Sequence, residues 1–346
     1  MIDIDFYMKT HTLLEHNEDA TYELFEEYRN KQPVVYNIET TNACNMKCEM
    51  CPRTTRMTRP IETMKPQLFI DIVNQLRPHS AMLWNRWTTF CKTRYNIAET
   101  SPASENHFFL YVISKVIQLH GYGSPLLDKN MTRHIDILTD HGFESYFSCN
   151  PSNINVEKVT KMMKNGLSYI KFSIESVDDS LFKKIRGDKA NFTNSYKKIC
   201  ELLSIKEKNS YDTVFVITML DLNRKTQAED YKKLKQVFTG KDVYLYLKSE
   251  DQLWYRQDYH QTKSIHWSEF CRHPWMSMTI KSDGKVAMCM EDYNNEIILG
   301  DAKKDTLYDI WNNKAYDEFR RRHFDLNTDN KCVKECDMKL IGEYKI

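Results

Sequence analysis

Apolar residues along the chain fall into short continuous blocks, separated by longer stretches in which they recur at helical spacing. The blocks predict strands at about 34–39, 114–119, 144–148, 169–174, 213–219 and 243–247. The intervening pattern predicts helices at about 66–77, 155–164, 192–206 and 226–238. Strand blocks alternating with amphipathic helices indicate parallel βα units, hence an α/β fold with strands buried on both faces. Ahead of them, Tyr22-Glu23-Leu24-Phe25-Glu26-Glu27-Tyr28 reads as an acidic amphipathic helix, expected to pack as a lid on the outside of the main domain. Beyond them, 277–280 and 285–288 flank the turn Lys281-Ser282-Asp283-Gly284 and read as a β-hairpin.

Cysteine placement changes this picture from a scaffold to a chemistry. Cys44, Cys48 and Cys51 lie within eight residues, directly after the first strand block. Soft thiolates this close can wrap one inorganic centre, and both zinc and iron–sulfur clusters take such ligands. A structural zinc site closes with a fourth Cys or His at short range, and none follows here. A [4Fe–4S] cluster on three cysteines keeps one iron open for a small molecule. A second group, Cys271, Cys289, Cys332 and Cys336, converges on the hairpin and a C-terminal loop. Its four thiols can saturate a metal centre, and their spacing alone leaves zinc and iron–sulfur both open. Cys91, Cys149 and Cys200 are read as packing residues.

The stretch Cys44-x3-Cys48-x-Met50-Cys51 resembles the signature of the radical SAM superfamily. That resemblance implies a partial (β/α)6 TIM-like barrel. It also implies a [4Fe–4S] cluster on Cys44, Cys48 and Cys51 whose open iron chelates S-adenosylmethionine, with Met50 beside the adenine. Loops after the strand ends then build the site. Gly121, Gly123 and Ser124 stand where the family grips the amino group of the cofactor, with Ser124 in place of the usual Glu. Ser173 and Glu175 resemble the ribose-binding segment, and Arg186 the guanidinium that neutralises the cofactor carboxylate. Glu250 and Asp251, just past the sixth strand, are candidates for substrate contact and for the catalytic base.

The second cysteine group, with Gly300-Asp301 and an Ile310-Trp311-Asn312 helix, resembles a SPASM or twitch extension. Four cysteines match the shorter, one-cluster form, although the terminal pair is spaced x3 rather than x2. The expected organisation is an N-terminal helical extension (1–32), a radical SAM barrel (33–255) and an auxiliary-cluster domain (256–346). An insertion at 78–112 leaves the barrel at its N-terminal face, so its aromatic residues are expected to serve structure or assembly rather than to cover substrate.

A cluster with four cysteine ligands has no open iron, which suits it to taking an electron from a substrate radical. The layout resembles the twitch dehydrogenases that oxidise a sugar or aminocyclitol hydroxyl. A peptide maturase or epimerase is the alternative within enzymes, set back by only about 32 residues ahead of the first strand. A non-catalytic iron–sulfur electron carrier or a structural zinc protein is the alternative outside them. The chain of 346 residues carries 49 basic against 48 acidic groups, which gives no electrostatic case for nucleic acid or an anionic membrane. No apolar run has spanning length, and Met1-Ile2-Asp3-Ile4-Asp5 lacks signal-peptide character. A reducing cytoplasm is therefore expected, and the resemblance implies a flavodoxin- or ferredoxin-type reductant.

Overall fold

Six parallel strands cross the centre of the molecule in chain order. They are β1 (Val35–Ile38), β2 (Val116–Gln118), β3 (Glu144–Cys149), β4 (Tyr169–Ser173), β5 (Val214–Leu220) and β6 (Tyr244–Lys248), each hydrogen-bonded in parallel to the next. The structure is a computed structural model and describes residues 1–15, 20–222, 224–248 and 271–325. The hairpin does not stand apart from this sheet. β7 (Met278–Ile280) runs parallel to β1, and β8 (Lys285–Ala287) and β9 (Ile298–Asp301) follow antiparallel, giving one nine-stranded sheet in the order β6-β5-β4-β3-β2-β1-β7-β8-β9. Met278 N donates to Val34 O at 2.8 Å and Glu39 N to Ile280 O at 2.8 Å. The segment that carries Cys271 and Cys289 is thus bonded to the strand that feeds the first group.

Period-2 alternation gives each strand two buried faces. Ile117, Phe147, Ile170, Phe172, Phe215 and Ile217 pack against an outer layer of helices. Those helices begin at side-chain caps: Asn155 accepts from Lys158 N, Asp178 from Leu181 N and Asn191 from Asn194 N. Phe69, Val159, Phe182, Ile199 and Leu234, all fully buried, form their inward stripes. Burial of each such side chain is worth roughly 1.5–3 kcal/mol.

The other face of the strands forms a second core, and one expectation is revised there. The insertion folds into a helix, Ala81–Tyr95, a short helix, Glu105–Phe108, and a π-helical turn, Phe109–Ile113. Its residues Trp87, Cys91 and Phe108 to Ile113 are buried with Val116, Tyr146, Val216 and Tyr246 of the strands. The ring of Phe108 lies 5.5 Å from that of Tyr146 and 5.4 Å from that of Tyr246. The insertion is therefore core that fills the N-terminal half of the inner face, in keeping with a structural role. The N-terminal helices Ile4–Glu15 and Tyr22–Tyr28 join the same core through Phe6, Tyr7 and Phe25. They do not form a lid on the outer helical layer, because their apolar stripes are matched to the insertion, to Trp275 and to Phe324. Among the described residues, no helix is long and apolar enough to cross a membrane.

Candidate functional site

The loop from Cys44 to Cys51 leaves the C-terminal end of β1 and is fixed by its backbone. Lys47 N donates to Arg186 O at 3.2 Å and Glu49 N to Ile185 O at 2.9 Å, which lays the loop along the end of the Asp179–Arg186 helix. Gly187 closes that helix at φ 95°, where a Cβ would come within 2.9 Å of Lys47 N. Cys51 then caps the short Pro52–Thr55 helix. Cys48 is buried, while Cys44 and Cys51 are partly exposed. Burial raises the thiol of Cys44 and pushes that of Cys51 up to about 12, with Cys48 adding to the latter. Thiols raised in this way ionise readily only beside a cation, as iron supplies when a cluster binds. None of the eight described cysteines is in a disulfide. Among the described residues, no three His, Cys, Asp or Glu side chains converge on a position for one metal ion. Three thiols with no fourth ligand at short range match the donor set of a cubane, which takes one cysteine per iron and leaves the fourth iron open.

Around this loop the strand ends gather several of the expected residues. Arg186 Nε donates to Glu175 Oε2 at 2.5 Å, Nη2 donates to the other carboxylate oxygen, and Nη1 reaches Cys48 Sγ at 3.6 Å. Burial opposes the charge on Arg186, but Glu175 and Cys48 together hold it above the usual guanidinium value. Glu175 is fully buried, and its backbone carbonyl accepts from Arg224 Nη2 at 2.8 Å. Both of its side-chain oxygens are thus engaged by Arg186. Ser173 sits at the end of β4 with its Oγ 3.3 Å from Ser148 Oγ of β3. Ser124 N donates to Ala43 O at 2.7 Å, and its Oγ accepts from Asn153 Nδ2, which also donates to Asn45 Oδ1 at 2.8 Å. Gly121 and Gly123 press against the end of β1. A Cβ at Gly121 would overlap Glu39 Oε2, and one at Gly123 would overlap Thr41 O. The close approach these glycines permit is to the chain itself. Met50 is half-buried against the core beside Cys51.

Cys271 precedes the hairpin and Cys289 follows it, so the chain brings both to its open end, away from the turn. Cys271 N donates to His323 Nε2 at 3.0 Å, and Cys289 Sγ accepts from Glu291 N at 3.3 Å. Burial pushes Cys271 up to about 12 and Cys289 higher still, the latter also through Glu291 and Cys271. Cys332, Cys336, Glu250 and Asp251 lie outside the described residues.

Three groups of residues escaped the sequence reading. Glu39 is fully buried at the end of β1, and Arg59 Nη2 donates to both its oxygens at 2.8 and 2.9 Å. Ser282 Oγ donates to it at 3.0 Å. Burial alone would raise this carboxyl, but Lys281 and Arg59 hold it below its ordinary value. Gln118, His120, Ser148, Lys171 and Thr218 form the second group, on the inner face of β2 to β5. His120 Nδ1 accepts from Ser148 N at 3.0 Å, so its ring is neutral with hydrogen on Nε2. Burial and Lys171 push its basicity well down. The third is the buried pair His273 and His323, each lowered to about 4 by burial. An acidic residue closing an apolar strand was the visible signal for Glu39. The second group is brought together only by the pairing of distant strands, and the third by the packing of the His273–Met276 and Lys314–Phe324 helices.

Residues 271–337 match SPASM, an iron–sulfur cluster-binding domain. No curated protein matches the chain. Among solved structures, BtrN in complex with AdoMet and 2-DOIA is 15% identical with a TM-score of 0.51, covering 88% of this chain and 93% of that one. A histidine-tagged form of anSMEcpe with bound AdoMet is 12% identical with a TM-score of 0.50, covering 88% and 84%. These similarities establish the fold. Taken with the cysteine motif and the matched domain, they show a chain that resembles the radical SAM enzymes with a SPASM or twitch auxiliary-cluster domain.

Proposed function

We propose that this chain is a radical SAM oxidoreductase that oxidises a carbinol of a polyhydroxylated small molecule such as a sugar or aminocyclitol. The observation that carries the substrate class is the inner face of the strands. Above its aromatic floor, Gln118, His120, Ser148, Lys171 and Thr218 bring amide, imidazole, hydroxyl and ammonium groups from four adjacent strands. Such groups pair with substrate hydroxyls by exchanging donors and acceptors. When bound, S-adenosylmethionine and the cluster on Cys44, Cys48 and Cys51 would supply the 5′-deoxyadenosyl radical that removes the carbinol hydrogen, and a cluster on Cys271, Cys289, Cys332 and Cys336 would accept the electron left once the hydroxyl proton departs.

The chain's own residues position these partners. Arg186, oriented by Glu175, offers its guanidinium beside Cys48 for the carboxylate of the cofactor. Ser173, at the end of β4, offers a hydroxyl for the ribose. The loop of Gly121, Gly123 and Ser124 sets the rim opposite them. His120, bearing hydrogen on Nε2, donates to a substrate oxygen and is not the base. Glu250 or Asp251 would take the hydroxyl proton.

Reconstituted, oxygen-free protein should carry about eight irons, since each cubane holds four. With dithionite and S-adenosylmethionine it should form 5′-deoxyadenosine, and Cys48→Ala should abolish this. Aminocyclitols or amino sugars should raise that turnover and be recovered two hydrogens lighter. Formation of S-adenosylhomocysteine, or turnover raised only by peptides, would refute the proposal.

A further inference from the structure

The turn between β7 and β8 holds a buried cation that the reaction outlined above leaves without a task. Lys281 is fully buried, and its backbone N donates to Lys285 O at 2.8 Å to close the hairpin. Its Nζ donates to Met290 O at 2.9 Å, the carbonyl immediately after Cys289. The ammonium is therefore fixed against the segment that carries Cys289. The charged groups facing it are few. Glu39 reaches it from β1 but is already paired by Arg59 through two hydrogen bonds. Asp292 faces it from the loop after β8, with its oxygens accepting from Glu296 N at 2.8 Å and Ile297 N at 2.9 Å.

We infer that Lys281 sets the electron affinity of the auxiliary cluster proposed at Cys271 and Cys289. A desolvated charge acts strongly on a neighbour, because little water screens it. Reduction adds negative charge to an iron–sulfur cluster, and nearby charge and hydrogen bonds tune its potential. A cation pinned beside one of its ligands favours the reduced state. That is the bias needed by a group that accepts an electron from a substrate radical. Glu39 and Arg59 form a nearly neutral pair behind it and hold the turn in place.

This inference rests on the two-cluster reading, and the two can fail separately. Three variants test it: Lys281→Gln keeps a donor for Met290 O without the charge, Lys281→Arg keeps the charge, and Lys281→Met keeps neither. Each is reconstituted without oxygen, its iron is counted, and both clusters are titrated potentiometrically with EPR detection. The Gln and Met variants should retain about eight irons. Their auxiliary signal should be harder to reduce by roughly tenfold in the reduced-to-oxidised ratio, about 59 mV for one electron. Lys281→Arg should stay close to the parent, and the cluster on Cys44, Cys48 and Cys51 should move little in all three. Full loading with an unmoved auxiliary potential in Lys281→Gln overturns the inference. So does loss of loading in the Gln and Met variants with retention in Lys281→Arg, which would make Lys281 an assembly residue. A parent chain that never exceeds about four irons refutes the two-cluster reading itself.

Discussion

Glu39 shows how much a single buried carboxylate can organise. It joins β1, the Arg59 loop, the Gly121 loop and the hairpin turn through bonds to Arg59, Tyr122 N and Ser282. Its acidity in the folded protein is enhanced, so its stabilisation is present above the ordinary carboxylate range and is lost as pH falls through the lowered value. Melting temperatures measured against pH should therefore separate the parent from Glu39→Gln at neutral pH and converge in acid. A gap that persists unchanged at low pH would contradict this. Gly121→Ala places a Cβ against the pinned Glu39 oxygen, and Gly123→Ala places one against a backbone carbonyl. Overpacking of this kind costs about 1–3 kcal/mol, readable by denaturant unfolding, and the Gly123 change should be the worse because backbone cannot swing aside. Arg186→Met leaves Glu175 buried without a partner, a loss of about 3–5 kcal/mol in the same assay.

At the scale of elements, the strands were legible because continuous apolar blocks permit few other structures. Each of the six expected blocks lies within a residue or two of an observed strand, and the hairpin follows its turn sequence. The helix Met131–Asp140 went unread because buried His134 interrupts its apolar stripe. The insertion's destination was also hidden. Its aromatic residues are matched to Tyr146, Val216 and Tyr246 on strands far along the chain, a pairing that periodicity cannot express. The same limit applied to the site. The cysteine loop announced itself by local spacing, whereas Glu39 with Arg59, or His120 with Ser148, meet only after the sheet forms. Trp87 is fully buried in the insertion and donates to Leu110 O at 2.7 Å. Trp87→Ala should cost about 3–5 kcal/mol in unfolding experiments, while the protein that remains folded keeps 5′-deoxyadenosine formation. Selective loss of that activity at unchanged stability would place the insertion in the chemistry instead.

Across the described residues, one sheet carries the first cysteine group and joins it to Cys271 and Cys289 of the second. β1 leads into the first, β7 and β8 flank the turn of the second, and β1 and β7 are neighbours. Two centres held by loops of neighbouring strands, as proposed, would keep a fixed relation during the reaction. That arrangement suits a reaction in which one centre starts a radical and the other removes an electron. Everything in it depends on the loop of Cys44, Cys48 and Cys51 holding a cluster with an open iron. The most direct test is EPR of the reduced, reconstituted Cys271→Ala/Cys289→Ala protein, in which the first cluster is observed alone, recorded with and without S-adenosylmethionine. The expected result is a cluster signal whose shape and g-values change when the cofactor is added. A signal identical in both samples would contradict the account.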